Sequence, residues 1–345
     1  MIWYFVGILA FVLGAIYTLS FRYLTRERWQ IFAAVPLKRI EGTKWKGVNI
    51  TYYGILTATG FVLGLCVFII MAGSDPAGPA GMLVALLLLL LLFIPSAKIM
   101  AIIVEGKKHT FTVGGASFVM IIASPLAAAG VNSLAGFTVN TAAFLASLLT
   151  AYAFGESFGR LACISFGCCY GRPVGSMPSF SKKIFSRMNF VFHGETKKIS
   201  YHDHLNGVEV VPVQGITAVM YGITGIICLV LYFTGYTVES FFIALCITQL
   251  WRFFSEFLRA DYRGNGKISA YQLMSLMTIP YFIVYYFFAG FETAYTSDIS
   301  NGIYFLWNPL IIILLQIMWA GALLYTGRSS VTDSEIKFSV VKENI

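Results

Sequence analysis

An all-α, polytopic transmembrane protein of about nine spans is the fold class this sequence predicts, on three observations. Hydrophobic residues make up 58% of the 345-residue chain and charged residues only 12%. Mean hydropathy is +0.76, too apolar for the surface of a 38.1 kDa soluble globule. The apolar residues also fall in runs near the length of about 20 that a hydrocarbon layer requires. The alternating pattern of a β-barrel is absent, so helices are the remaining way to satisfy the backbone in lipid.

Taken in order, residues 1–20 form the first span, without the basic start or small-residue cleavage site of a signal peptide, and are expected to be retained. A basic loop should follow, because Arg22, Arg26, Arg28, Lys38, Arg39, Lys44 and Lys46 all precede the next apolar run. Further spans are expected at 50–73, 81–104, 111–131 and 138–155, then at 211–233, 238–258, 270–291 and 303–326. Residues 173–210 make a polar arm, and Ser329–Ile345 is expected to be a mobile tail. These boundaries divide the chain into an added N-terminal helix with its basic loop (1–49), a membrane core (50–291) and an added C-terminal helix with its tail (292–345).

The formal net charge is +8, and all 24 Lys and Arg residues fall on the odd-numbered connections, the adjoining helix ends or the tail. Even connections such as Ser74–Ala80 and Glu292–Gly302 hold none. The positive-inside rule assigns the basic face to the cytoplasm and the N-terminus to the outside. This asymmetry accounts for the net charge without a nucleic-acid partner.

Two charged constellations close apolar runs. GESFGRLACISFGCCYGRPVG, Gly155–Gly175, sets Glu156 four residues before Arg160 and adds Arg172, Cys163, Cys168 and Cys169. A disulfide framework is not expected, because adjacent cysteines rarely bridge and no secreted scaffold is present. Cys-x4-Cys-Cys is not a usual zinc spacing even with His193, His202 and His204 added, so neither a metal nor a cofactor is assigned. Cys66, Cys228 and Cys246 lie inside apolar spans as packing residues. WRFFSEFLRADYRG, Trp251–Gly264, places Arg252, Glu256 and Arg259 along one helix face, as a salt-bridge ladder or an anion pocket. In the arm, Lys182, Lys183, Arg187, Lys197 and Lys198 alternate with Phe180, Phe185, Phe190 and Phe192, which suits a lipid-headgroup interface or a solvated loop.

Ionisable groups at membrane depth cost about 2.5–3.5 kcal/mol on insertion scales, so their presence points to function. Guanidinium forks match phosphate oxygens, and the membrane itself supplies phosphate esters on lipid headgroups. The chemistry this allows is transfer at a phospholipid headgroup. Arginines would neutralise a departing phosphate, and a carboxylate would take a proton from the incoming nucleophile.

In this order the residues resemble the prolipoprotein diacylglyceryl transferases, bacterial membrane enzymes that move the diacylglyceryl group of phosphatidylglycerol to a lipoprotein cysteine. TYYGILTATGF at Thr51–Phe61 is similar to a family motif and places Tyr53 at its tyrosine; GGASF brings in Gly114, Gly115 and Ser117. GRLACISFGCCYGRP places Arg160 at the essential arginine and Gly167 and Gly171 at the motif's glycines, with Arg172 following. RFFSEF supplies Arg252 and Glu256, with Arg259 three residues on, and PVQ supplies Gln214. ISAYQLMSL, opening the helix at Ile268–Pro280, extends the likeness, which spans roughly residues 50–290. It implies catalytic roles for Arg160, Arg252, Glu256 and Tyr53.

The sequence also departs from the family pattern. Val119 stands where a histidine or tyrosine is expected, Cys163 replaces an asparagine, Cys168 an acidic residue, and no tyrosine follows Gln214. Phosphate-holding arginines are kept while proton acceptors differ, which leaves Glu156 as a candidate base. The resemblance implies an extracytoplasmic active site in the bacterial inner membrane, whereas the charge count puts that face in the cytoplasm. Three readings stay open: a phosphatidylglycerol-dependent transferase with a protein thiol or other nucleophile as acceptor, an enzyme using Cys168 or Cys169 as nucleophile, and a non-catalytic phospholipid carrier.

Overall fold

Residues 1–105, 113–134, 136–260, 268–291 and 297–344 are described by a computed structural model. Long helices occupy all nine predicted spans: α1 (Ile2–Tyr23), α2 (Tyr52–Gly73), α3 (Ala80–Glu105), α4 (Val113–Asn132), α5 (Thr141–Phe166), α8 (Val213–Phe233), α9 (Thr237–Leu258), α10 (Ala270–Ala289) and α12 (Pro309–Thr326). Eight of them are long and apolar enough to cross a membrane. The ninth, α5, carries Glu156 and Arg160 and is wrapped by other helices, with most of its side chains buried. The chain is therefore a polytopic helical membrane protein.

Close packing around α5 follows from small residues. Between helices in lipid there is little hydrophobic gain, so backbone approach and van der Waals contact decide association. A side chain at Gly60 of α2 would meet the Gly155 carbonyl of α5 at 2.9 Å, and one at Gly64 would meet the Ala151 carbonyl at 3.0 Å. Phe68 and Phe144 pack edge to face at 5.9 Å between the same helices, and Phe241 and Phe282 do so between α9 and α10 at 4.9 Å. The helix starts are capped by their own sequences. Asn140 accepts from the Ala143 N–H, and Ser269 and Gln272 form a reciprocal capping box at α10.

Four expectations need correction. First, the basic stretch after α1 is a hairpin, not a loop: β1 (Ile31–Glu41) and β2 (Lys44–Thr51) turn at Gly42, whose φ of 53° suits glycine. Second, the C-terminal segment is no tail. β5 (Arg328–Lys337) pairs antiparallel with β2, giving the order β1-β2-β5. Complementary charges align it, Lys44 with Glu335 at 3.3 Å and Lys46 with Asp333 at 3.0 Å, and the Asn49 amide donates to Thr332 at 3.0 Å. Third, the last span is interrupted, since α11 (Ile299–Leu306) stops before Asn308, whose side chain caps α12 with Pro309 in its first turn. Fourth, α5 runs on to Phe166, past the apolar limit at 155, so Glu156, Arg160 and Cys163 are helical.

The arm folds into α6 (Ser179–Phe185), β3 (Phe190–Val191), α7 (Lys198–Asp203) and β4 (Glu209–Val210), with β3 and β4 paired. Its aromatic residues divide, with Phe180 exposed and Phe190 and Phe192 in the core. Lys197, expected at an interface, is fully buried. Its Nζ donates to the carbonyls of Leu24 at 2.9 Å and Ser165 at 2.5 Å, joining the end of α1 to the end of α5.

Candidate active site

The site grows from the C-terminal half of α5. Tyr152, Glu156 and Arg160 recur every four residues, so helix geometry stacks them on one face. Glu156 and Arg160 form an ion pair, both largely shielded. From α9, the Arg252 guanidinium donates to the Tyr152 hydroxyl at 3.2 Å. Tyr221 of α8 completes the group, its ring 6.1 Å from that of Tyr152 and its hydroxyl donating to the Thr248 carbonyl at 2.8 Å. Arg160, Arg252, Glu156, Tyr152 and Tyr221 lie close enough to interact electrostatically as one cluster.

Glycine at position 114 is what admits Arg252. A side chain there would collide with its guanidinium, so the GGASF and RFFSEF segments meet at this point. Ser117 donates to the Gly114 carbonyl at 3.0 Å, inside α4. Glu256, which the helix spacing allowed to pair with either arginine, faces Arg259 at 3.6 Å, and both are nearly buried. Arg252, Glu256 and Arg259 therefore do not make one ladder. The Asp261–Gly264 end of that motif lies outside the described residues.

A second cluster adjoins the first. Gly167 ends α5 in the left-handed conformation at φ 71°, and the Cys168 N–H returns to the Cys163 carbonyl at 3.0 Å. This reversal brings the sulfurs of Cys163, Cys168 and Cys169 within 4.8 Å of one another. Gln214 fixes the turn by donating to the Cys168 carbonyl at 2.8 Å. Tyr53 of α2 lies beside all three cysteines, with its ring 5.6 Å from that of Phe166. Hydrogen bonds from its two neighbours, aided by Arg259 and Arg160, hold the Cys169 thiol well below its usual range. Those with Cys163 and Cys169 push the Cys168 thiol up.

Gly171 and Arg172 run between the end of α9 and the segment before α8. The Arg172 N–H bonds the Leu258 carbonyl at 2.9 Å, and the Val211 N–H bonds the Arg172 carbonyl at 3.0 Å. A side chain at Gly171 would strike the Val211 carbonyl, while the Arg172 side chain is exposed and outside the arginine cluster. Among the described residues, the cysteines gather no histidine; His202 instead pairs with Asp203 at 2.6 Å. Tyr152 and Tyr221 escaped the sequence reading. For Tyr152 the signal was present, four residues ahead of Glu156, but an aromatic residue in an apolar run reads as packing.

Chemically, the first cluster holds two guanidiniums and one carboxylate, leaving one positive charge without a counter-ion among these groups. Arg160 Nε has no hydrogen-bond partner among the described residues. A buried donor on a charged group is costly unless something accepts from it, and an anion such as phosphate would do so. A separate apolar groove of about 390 Å³ lies between Cys66, Leu306, Trp307, Leu315 and Trp319 and contains neither arginine.

No curated protein matches the chain. The profile of the prolipoprotein diacylglyceryl transferase family matches residues 43–288, a stretch that contains both clusters. The chain thus belongs to the prolipoprotein diacylglyceryl transferase family, a family of membrane transferases acting in lipid metabolism.

Proposed function

We propose that this protein transfers the diacylglyceryl group of phosphatidylglycerol to a nucleophile, with a thiol as the favoured acceptor and an exported lipoprotein not required. The observation that supports it most is the excess positive charge of the cluster holding Arg160 and Arg252, next to an Arg160 N–H without a hydrogen-bond partner among the described residues. In this reading the two arginines grip the phosphate of the lipid headgroup. The acceptor attacks the glyceryl carbon of the diacylglyceryl group, a new bond forms to that carbon, and its bond to the phosphate oxygen breaks. Glycerol phosphate leaves with the electron pair, its charge met by the guanidiniums. Glu156 releases Arg160 to the phosphate and receives the acceptor's proton. Tyr152 and Gly114 position Arg252, Tyr53 borders the acceptor side, and Gln214, Gly115, Ser117 and Gly171 hold the surrounding backbone. We place the protein in the bacterial inner membrane with this site on the cytoplasmic face.

Proteoliposomes containing phosphatidylglycerol and a soluble thiol provide the test, with mass spectrometry of released glycerol phosphate and of the thioether product. Arg160→Ala and Arg252→Ala should each lower release by at least about a hundredfold, the scale of losing a charge-stabilising donor. Gly114→Ala should act through Arg252 and lower it less. Normal turnover in both arginine variants, or lipid movement with no new covalent product, as a carrier would give, overturns the proposal.

A further inference from the structure

We propose that Cys163, Cys168 and Cys169 form a binding site for a thiophilic d10 cation, Zn²⁺ or Cu⁺, with a fourth position open toward Tyr53. The three sulfurs converge within 4.8 Å of one another. A cation bonded to three sulfurs at about 2.3 Å holds them about 3.8–4.0 Å apart, so small side-chain rotations close the set. The ligand types are selective: among the described residues the group contains no carboxylate or imidazole, which disfavours Mg²⁺ and Ca²⁺.

The backbone is built for this convergence. Cys169 has φ 58°, in the left-handed region that a non-glycine residue avoids, and a conformation of that kind persists when surrounding contacts impose it. Those contacts are visible. Gln214 holds the Cys168 carbonyl at 2.8 Å, the Ala260 N–H holds the Tyr170 carbonyl at 3.1 Å, and Gly167 turns the chain. Three elements thus fix the loop before any ion arrives. Arg160 and Arg259 stand within electrostatic reach of Cys169 and offset the excess negative charge of a three-thiolate complex.

Three protein ligands and an open place are the pattern of catalytic zinc sites. A thiol entering that place loses its proton on binding and becomes a thiolate at neutral pH. It would then attack the glyceryl carbon as described above, and the proton would pass to Glu156 or solvent. That role rests on the transferase reading, whereas binding of the cation does not. It also gives a reason for cysteines where the family pattern leads one to expect an asparagine and an acidic residue.

Reduced full-length protein in detergent, titrated with Co²⁺ and then challenged with Zn²⁺ and Cu⁺, tests the site without any transfer assay. A thiolate-to-cobalt charge-transfer band should appear and be displaced by Zn²⁺ or Cu⁺, and the relative potency identifies the preferred ion. Cys163→Ser, Cys168→Ser and Cys169→Ser should each weaken binding by at least the roughly tenfold that losing an outer partner costs, while Cys66→Ser and Cys246→Ser leave it unchanged. Adding a small thiol to the cobalt form should shift the band. In the unsubstituted protein, Zn²⁺ should shield the three cysteines from alkylation, as mapped by peptide mass. No band in reduced protein, or alkylation indifferent to Zn²⁺, overturns the site, and a band unmoved by thiol overturns the open position. Metal binding without transfer would sink only the proposed function.

Discussion

At the residue scale, Lys197 shows how a buried charge is managed away from the site. Burial pulls its ammonium down to about 7 from 10.5, against the smaller opposing pull of the Glu27 carboxylate. Two carbonyl acceptors, Leu24 and Ser165, need only the two N–H bonds of a neutral amine. Between pH 7 and 10.5 the unfolded chain binds the proton that the folded chain has released, so this residue makes stability rise with pH across that window. Below it both states are charged and the penalty is constant, on the order of a few kcal/mol. Lys197→Met should therefore flatten the rise in Tm between pH 7 and pH 10 relative to the unsubstituted protein, measured by thermal denaturation in detergent. An unchanged difference between the two proteins across that range would refute a neutral Lys197. The sequence offered no hint of this, because a lysine among basic and aromatic residues looks solvated. Arg160 and Arg252, in contrast, were legible, since charges that end apolar helices are costly without a task. Their partners were not: helix spacing allowed Glu256 to serve either Arg252 or Arg259, and only the packing of α9 against Gly114 and Tyr152 decides between them.

At the element scale, apolar length identified the membrane helices, and strands too short to register as membrane helices escaped the same reasoning. The hairpin and β5 alternate too weakly for a period-two signal, and β2 and β5 lie almost three hundred residues apart in sequence, Asn49 with Thr332 for instance. Local pattern cannot reveal a pairing of that range. What holds β5 is the ladder more than its charges. The Lys46–Asp333 pair is 54% and 67% exposed, and such pairs contribute about 0–1 kcal/mol. Lys46→Glu should accordingly lower Tm only slightly. Removal of residues 328–345 should do more, because it bares the edge of β2 that pairs with β5 from Lys44 to Ile50. Limited proteolysis should then cut the hairpin much faster than in the intact protein or in Lys46→Glu. Equal cutting in all three would mean that β5 does not protect the sheet.

Across the whole molecule, the contacts fix which ends share a face. Met1 touches Ser300 at the start of α11, while β5, beyond the end of α12, pairs with β2 just before α2. Nine crossings, with α5 among them, satisfy both contacts, and an even number would not. The arginine cluster, the cysteines and the basic hairpin then share the face opposite Met1, the face that collects the Lys and Arg residues. The orientation proposed above makes this the cytoplasmic face, by the charge bias of its connections. On that proposal an exported lipoprotein on the other side of the membrane would not reach the site, so orientation would constrain the acceptor as strongly as the chemistry does. Lys183 on α6 is exposed and away from both clusters, which makes Lys183→Cys a suitable reporter. Membrane-impermeant maleimide should leave this cysteine unmodified in intact cells and label it after permeabilisation. Labelling of intact cells would return the site to the outer face, where an exported lipoprotein again becomes the natural acceptor, and would require the positive charge of the hairpin to be held by something other than topology.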